Sequence, residues 1–266
     1  MCYVTHPTLR GYHAAVRELS RSSRTVSEFI MEPVCRGIDP IHDFNIFNSP
    51  KDDFVILVMR NNLTSLEYTL DGYKLLHPSW DWNEVSKSLF RMTLSCAQAL
   101  EHFALNTNVE PYRPRFLPGG PVPLLEILPM ERWRVLRSFS LRSGILTLGD
   151  FVLFLSALPA TITALEFHKV IFFDTTWETV LGYLRDVVGW GSDSHHPLPT
   201  LTVSLVEYSS LQTVILRDDL RRFFERKAPN PFTSRPGFVS HGSGIANDWV
   251  LPGYGHIVDD LGTIAE

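Results

Sequence analysis

The chain has 266 residues, 24 Lys and Arg against 29 Asp and Glu, a formal net charge of −5, and 44% hydrophobic residues. This composition is that of a globular protein long enough to bury a core without disulfides or metals. The three cysteines are far apart and form no CxxC pair, which excludes a disulfide framework and a cysteine zinc site. The acidic balance argues against a nucleic-acid partner.

No apolar stretch of the chain is long enough to be the core of a signal peptide or a membrane helix. The densest apolar stretches, residues 54–59 and 151–155, are far shorter than the roughly 20 residues that a membrane span requires. We therefore expect an intracellular protein, cytoplasmic or nuclear, with no membrane partner.

An apolar pattern Φ-x-x-Φ-x-Φ recurs at five places. It occurs at Leu63/Leu66/Tyr68, Leu100/Phe103/Leu105, Leu136/Phe139/Leu141, Ile162/Leu165/Phe167 and Leu198/Leu201/Val203. Small or polar residues stand between the apolar ones, which predicts strands with one buried face and one solvated face. Residues 214–216 are expected to form a last strand, followed by a short basic helix capped by Asp218.

Most gaps between these strands contain a helix signal, in which a capping residue is followed three residues later by an acid. The pairs are Ser49 with Asp52, Asp81 with Glu84, Thr147 with Asp150, and Thr175 with Glu178. Apolar stripes at helical spacing follow two of them: Val85, Leu89, Met92 and Cys96, and then Trp177, Val180, Leu181, Leu184, Val187 and Val188. Gly189 stands where a C-terminal cap is expected.

The alternation of strands and helices predicts an α/β fold. A doubly wound nucleotide-binding sheet is covered on both faces, and its strands read as continuous Val, Ile and Leu. The alternating strands of this chain favour a leucine-rich-repeat-like solenoid, a horseshoe whose one-sided parallel sheet is backed by helices.

The chain divides into three predicted regions. Residues 1–48 form a helical N-terminal cap whose apolar stripe extends into 26–30, and residues 49–227 form the irregular repeat domain. Within it, six prolines in residues 107–131 predict a loop or extended excursion without a helix. Residues 228–266 are a tail rich in Pro, Gly and Ser that either is poorly ordered or wraps the end of the solenoid.

Several segments resemble the leucine-rich-repeat region of fungal F-box and F-box-like proteins. They are Asp81-Trp82, residues 100–105, residues 136–141, Ala157-Leu158-Pro159, Tyr183-Leu184-Arg185-Asp186 before Gly189-Trp190, and Asn230-Pro231-Phe232. The resemblance spans about residues 13–235 and implies protein recognition, in its narrower form as the substrate receptor of a ubiquitin ligase. The Leu-Pro-x-Glu-like opening of an F-box is absent from residues 1–50. A ligase adaptor is therefore expected as a partner only if an F-box exists outside this chain.

Other chemistry-bearing segments are better explained as loops. His241–Gly244 and Gly253–Gly255 lack the strand-to-helix context of a hydrolase elbow or a dinucleotide fingerprint. His195-His196 has no second ligand pair nearby, so neither a metal site nor a cofactor is expected. Glu166 and His168 lie on one face of a strand and could transfer a proton, but no positioned nucleophile joins them, and no catalytic residue is predicted.

Side chains that point away from the helices are predicted to form one continuous concave strip that binds a protein partner. Its members are Glu67, Thr69, His102, Ala104, Ser138, Ser140, Glu166, His168, Thr202 and Ser204, with Arg142 at the edge. This mixture of acids, histidines and hydroxyls favours a polar, salt-sensitive peptide or protein. A scaffold that acts without ubiquitin machinery is the main alternative role, and a hydrolase is the third.

Overall fold

The structure is a computed structural model, and it describes residues 18–19, 21, 26–30, 62–69, 84–107, 121–191, 198–206, 213–234, 248–251 and 254–258. The strands are β1 (Glu28–Ile30), β2 (Ser65–Thr69), β3 (His102–Asn106), β4 (Ser138–Arg142), β5 (Ile145–Leu146), β6 (Ala164–His168), β7 (Ile171–Phe172), β8 (Thr200–Val206), β9 (Thr213–Leu216), β10 (Phe232–Ser234), β11 (Asp248–Val250) and β12 (His256–Val258). The helices with defined bounds are α1 (Glu84–Leu94), α2 (Leu124–Ile127), α3 (Leu148–Ser156), α4 (Trp177–Asp186) and α5 (Asp218–Phe224).

Eight of the described strands form one sheet, in the order β1-β2-β3-β4-β6-β8-β9-β12. The first six run parallel, whereas β9 is antiparallel to β8, and β12 is antiparallel to β9. A doubly wound sheet reverses its strand order at a switch point, and the described strands show no such reversal. The topology is thus mixed α/β with a mostly parallel sheet whose described strands follow chain order.

Five central strands pair without any slip in register. The residues that begin them, which lie side by side across the sheet, are Ser65, His102, Ser138, Ala164 and Thr200. Each of the five predicted apolar patterns coincides with one of these strands, so the strand predictions are confirmed. The predicted strand at 214–216 is also confirmed as β9, although it is antiparallel and β12 lies beyond it.

One hydrophobic core contains the buried side chains of the sheet and of the helices. Aromatic contacts join the two layers: the Phe139 ring on β4 lies 4.8 Å from that of Phe154 on α3. The Phe151 ring, also on α3, lies 5.2 Å from that of Phe167 on β6. The second and fourth residues of each central strand therefore face the helices, and the alternate residues face away from them.

A second, shorter parallel ladder follows two of the central strands. After β4 the chain turns through Ser143 (φ 58°), and after β6 it turns through Lys169 (φ 54°). The short strands β5 and β7 follow these turns and pair with each other. This left-handed backbone is uncommon for Ser and Lys, so the residue at the positive-φ position does not itself signal either turn, although Gly144 follows Ser143.

The expectation that residues 107–131 hold no helix is wrong for their C-terminal part. Helix α2 forms there, and Leu124, Ile127 and Leu128 are fully buried in the core. Pro123 is its N-cap residue, where the missing N–H breaks no helical hydrogen bond. Pro121, Pro123 and Pro129 flank this helix and do not interrupt it. Residues 108–120 lie outside the described residues.

The described residues near the two ends of the chain belong to the sheet and the core. Residues 28–30, expected in a helical cap, form β1 because their backbone pairs with β2. In the tail, Phe232 is only 1% exposed and belongs to the core, and β12 extends the main sheet. Of the two expectations for the tail, its described residues follow the one in which it wraps the end of the sheet.

Helix α1 departs from the predicted apolar stripe at Met92, whereas Cys96 packs partly buried against the core as predicted. Met92, a member of the predicted stripe, is 55% exposed, whereas Phe90 and Leu94 are buried. The Phe90 ring packs edge-on against the β2 tyrosine at 5.3 Å, which sets the rotation of the helix about its axis. The side chains of Val85 and Leu89 lie outside the described part. The predicted Ser49 helix start and the Asp81 cap lie outside it as well.

Helix α4 begins and ends close to the predicted positions. Its N-cap is Thr176, one residue after the predicted Thr175, because the Thr176 hydroxyl accepts a first-turn backbone N–H at 3.3 Å. The helix ends before Val187 and Val188, so these two members of the predicted stripe are exposed. Gly189 adopts φ 81°, as expected for a C-terminal cap. Helix α5 differs in the other direction and begins one residue early, with Arg217 as its N-cap in place of Asp218.

Acidic side chains connect consecutive helices. The Thr147 hydroxyl accepts the Asp150 backbone N–H at 3.2 Å, as predicted. The Asp150 carboxylate in turn accepts the Leu124 N–H at the start of α2, at 2.9 Å. Asp174 repeats this arrangement one unit later, where its carboxylate accepts the Leu148 N–H of α3 at 3.0 Å. Each acid therefore accepts a backbone N–H at the start of the preceding helix.

Asp150→Asn is expected to be neutral or stabilising at neutral pH. Burial raises the pKa of the Asp150 carboxyl, although the backbone N–H groups of Leu124 and Leu125 oppose this shift. A raised pKa in the folded state means that stability falls as pH rises from the unfolded-state pKa through the folded-state pKa. Asparagine keeps an acceptor oxygen without a charge. The stability difference between variant and wild type should therefore move in favour of the variant between pH ~3 and pH ~7.

Urea denaturation at these two pH values measures the difference. Asp150→Ala is the control, because it removes the carboxylate acceptor and leaves the Leu124 N–H only the Val122 carbonyl, at 3.0 Å. It is expected to cost about 1 kcal/mol. Equal losses for the asparagine and alanine variants at pH ~7 would show that the charge of Asp150, and not its oxygen atom, is what α2 requires.

Candidate functional site

The sheet face opposite the helices carries the predicted strip in three rows, because the five central strands are in register. The first row is Ser65, His102, Ser138, Ala164 and Thr200; the middle row is Glu67, Ala104, Ser140, Glu166 and Thr202; and the third row is Thr69, Asn106, Arg142, His168 and Ser204. Neighbouring strands lie about 4.8 Å apart, so side chains in one row can contact each other. The structure places every predicted member on this one face; for Thr69, only the backbone is described.

An ion pair crosses the strip between strands that are not adjacent. Arg142 Nη1 on β4 donates to Glu67 Oε1 on β2 at 2.8 Å, with side-chain exposures of 43% and 24%. The guanidinium must therefore pass over β3, where the residue in register with Glu67 is the small Ala104. A larger residue at this position would obstruct the ion pair.

His168 links two strands and contacts an acid on its own strand. Its Nδ1 lies 2.6 Å from the Ser204 hydroxyl on β8, and its Nε2 lies 3.3 Å from Glu166 Oε2. A carboxylate only accepts hydrogen bonds, so Nε2 carries the proton, and in the neutral ring Nδ1 accepts from the Ser204 hydroxyl. Contacts at both ring nitrogens fix the orientation of the imidazole.

Glu166 is held as a carboxylate. The hydrogen bond from His168 lowers the pKa of the Glu166 carboxyl, and the charges of His168, Arg142 and Arg217 lower it further, against the opposing effect of burial. Arg217 was not in the predicted strip. It is exposed and follows Leu216, the last residue of β9, which pairs with Val203 of β8. Alternate residues of a strand face the same side of the sheet, so Arg217, two residues after Ile215, is expected on the face of Ile215. The sequence alone already gave this expectation.

The prediction of a uniformly solvated face is wrong at two serines. Ser140 is 8% exposed, and Ser204 is 1% exposed. Ser204 is covered because His168 bonds to its hydroxyl. The Ser140 hydroxyl is buried and has no hydrogen-bond partner among the described residues. Short side chains between longer ones are therefore shielded from water even on the open face of the sheet.

The first row is also joined across strands. His102 Nδ1 on β3 lies 2.8 Å from the Ser138 hydroxyl on β4. Just before these strands, Arg137 Nε donates to Glu101 Oε2 at 2.9 Å. Cross-strand contacts thus orient side chains along the length of the strip before any partner arrives.

Ser204, His168 and Glu166 are the residue types of a nucleophilic relay. Ser204, however, is 1% exposed and lies beneath the imidazole, so its hydroxyl is not presented to a substrate. The contacts in this group orient His168. Of the other segments considered, His195-His196 and His241–Gly244 lie outside the described residues. The Gly255 N–H donates to Asp219 of α5 at 2.8 Å, as part of a structural turn.

Among the described residues, no three His, Cys, Asp or Glu side chains gather closely enough to hold a metal ion. No helix in the described ranges is both long and apolar enough to cross a membrane. Comparison with known proteins gives no match to a family model, a curated protein or a solved structure.

Proposed function

We propose that the chain is a leucine-rich-repeat-like solenoid and that its polar strip is a protein-recognition surface. The observation that carries this proposal is the strip itself, in which three rows of mostly polar side chains lie in register on five parallel strands. Ion pairs and hydrogen bonds across the strands orient these side chains. Solenoids commonly use such an extended surface for binding.

Backbone hydrogen bonds just before the strands repeat from one unit to the next, which supports a repeating structure. The carbonyl oxygens of Thr64, Glu101 and Arg137 each accept two N–H groups from the next strand in the sheet, at distances between 2.7 and 3.1 Å. The strand exits repeat as well, with the N–H donors Thr107, Ser143 and Lys169 bonding to the carbonyls of Arg142, His168 and Ser204. Equivalent bonding from unit to unit is expected when similar repeats stack on their neighbours.

The exposure and the fixed orientation of the charged side chains favour a polar protein partner. Arg142 and Glu166 are 43% and 44% exposed, which leaves both accessible, yet each is held by a neighbour. Side chains that are oriented before binding lose less conformational freedom when a partner docks. Because the surface is charged and open to solvent, its binding should weaken as salt concentration rises.

The narrower role, as a ubiquitin-ligase substrate receptor, rests on the resemblance to F-box proteins alone. Co-purification of the ligase adaptor with the protein expressed from its complete gene would support that role. Recovery of a partner without the adaptor would support the scaffold role. Both roles use the same strip.

Replacing Glu166 and Thr202 together by lysine is expected to weaken partner capture about tenfold or more. The two residues lie in the middle row on neighbouring strands, so the variant adds two long cations in place of a carboxylate and a hydroxyl. His168 is left intact because its loss would leave the buried Ser204 hydroxyl without its bond. The melting temperature should therefore change little.

Quantitative mass spectrometry of proteins captured from a cell lysate measures the effect. The control is Thr179→Lys, at an exposed position on α4 away from the strip. A protein that is captured by the wild type and the control, and lost with the double variant, would support the proposal. Capture that is equal for all three chains would place binding outside the strip.

A further inference from the structure

Three charged side chains with alternating sign lie along one half of the strip. Arg142 and Glu166 are on the neighbouring strands β4 and β6, where Ser140 and Glu166 are in register. Arg217 comes directly after β9, two strands beyond β6, and is one residue past the lateral pair Val203 and Leu216. The order across the sheet is therefore positive, negative, positive.

Each of these groups keeps bonding capacity for a ligand. Arg142 uses Nη1 for Glu67, and a guanidinium has five N–H donors in total. Glu166 is 44% exposed, and its bond to His168 is long at 3.3 Å. Arg217 is exposed and makes no ion pair with another described residue. An incoming peptide can therefore contact all three groups without first breaking the ion pair between Arg142 and Glu67.

Ser140 supplies a further, independent observation at the centre of this group. Its hydroxyl is buried without a hydrogen-bond partner among the described residues, and the residue lies beside Glu166 in the middle row. A buried hydroxyl that lacks a partner is unfavourable, and it gains from any donor that reaches it. An ammonium group beside the Glu166 carboxylate would supply that donor after a small side-chain rearrangement, which is common at interfaces.

We infer that this half of the strip binds an extended peptide segment with acidic, basic and acidic side chains at alternate positions. The basic side chain lies over Glu166 and Ser140, and the acidic ones lie against Arg142 and Arg217. This inference names the partner class of the proposed recognition surface and rests on that proposal.

The distance between the two outer charges agrees with the length of a five-residue extended segment. From β4 through β6 and β8 to β9 there are three inter-strand gaps, or about 14 Å. In an extended peptide, side chains at positions i, i+2 and i+4 lie on one face and span about 13–14 Å, so the outer two positions match the strands of the two arginines. Glu166 lies one gap from β4 and two gaps from β9, so the central position is about 2 Å from its strand, an offset that a long basic side chain can span. The opposite charge pattern would place like charges at all three positions.

Selection from a random heptapeptide library displayed on phage tests the inference, with the full chain immobilised at about 50 mM salt to limit screening. The wild type is expected to enrich acidic-x-basic-x-acidic sequences. Glu166→Lys is expected to enrich an acidic residue at the central position instead. A synthetic peptide with a central lysine should bind this variant about tenfold more weakly than it binds the wild type. Glu225→Lys is the matched charge reversal, at an exposed position after α5, and should leave binding unchanged.

The other outcomes separate this inference from the proposed function. If the enriched peptides have a different charge pattern, or if Glu166→Lys leaves the central residue unchanged, the inference is overturned. The proposed function stands in that case, provided that lysines at Glu166 and Thr202 still reduce binding of the enriched peptides. If those lysines have no effect, or if no peptide is enriched, both the inference and the proposed function fail.

Discussion

Leu141→Ala is expected to lower the free energy of unfolding by about 2–5 kcal/mol. Leu141 is the fourth residue of β4 and is 0% exposed, with Leu105 and Phe167 beside it on the neighbouring strands. Both neighbours are also 0% exposed, so the surrounding structure is packed on each side and cannot easily fill the space. The loss of burial and the residual cavity therefore add together.

Ser140→Ala is the matched control one residue earlier on the same strand. Its side chain points to the strip, and the hydroxyl that alanine removes has no partner among the described residues. Stability should therefore stay within about 0.5 kcal/mol of the wild type or rise slightly. Urea denaturation followed by circular dichroism compares the two variants. Similar losses for both would mean that the two faces of β4 contribute equally to packing.

The five central strands could be predicted because their pattern has a period of two. Leu136, Phe139 and Leu141, for example, occur at the same offsets as in the other repeats, and β4 contains the last two. Because parallel strands in register keep side-chain parity, the rows of the strip follow from the same pattern. The residues that the five central strands contribute to the strip could therefore be predicted from the sequence alone.

Elements that depend on the local backbone could not be predicted in this way. The turn before β5 uses Ser143 in a left-handed conformation, and the turn before β7 uses Lys169. Neither residue type signals such a turn. Helix α2 could not be predicted because the density of prolines in residues 107–131 favours a loop, whereas Pro123 at the N-cap is compatible with a helix. Composition alone does not distinguish a proline that flanks a helix from one that interrupts it.

Burial on the strip depends on contacts between side chains of different strands. Ser140 and Ser204 share the strand face of Glu166, yet they are only 8% and 1% exposed, and His168 bonds to the Ser204 hydroxyl. Arg217 was missed for another reason: it follows an antiparallel strand that breaks the repeat pattern. The sequence thus indicated which residues share the face, but not which of them a ligand can reach.

Trp177→Ala is expected to lower the free energy of unfolding by about 3–5 kcal/mol. Trp177 opens α4, is 0% exposed, and has its ring within about 6 Å of four phenylalanine rings. These are Phe151 at 6.0 Å, Phe167 at 5.9 Å, Phe172 at 5.0 Å and Phe232 at 6.2 Å. The indole N–H also donates to the Val170 carbonyl at 2.9 Å, and this carbonyl loses its donor in the variant.

Trp177→Phe separates the contribution of aromatic packing from that of the indole hydrogen bond. It keeps an aromatic ring in the core but removes the indole N–H, so its cost should be closer to that of the lost hydrogen bond, about 1–3 kcal/mol. Circular dichroism in urea is the appropriate measurement, because replacing a tryptophan changes the intrinsic fluorescence. A smaller loss for Trp177→Ala than for Leu141→Ala would show that this aromatic group contributes less than the middle strand.

The contact of Trp177 with Phe232 extends this prediction to the C-terminal region. The two rings are stacked, with an interplanar angle of 19°, and Phe232 belongs to the region predicted as a tail. A double-mutant cycle with Phe232→Ala should give a coupling energy of about 0.5–1.5 kcal/mol. The coupling should persist if the tail is folded onto α4 in solution, because both side chains then share one packed site. Strictly additive losses would mean that Phe232 stabilises the protein without its contact to Trp177.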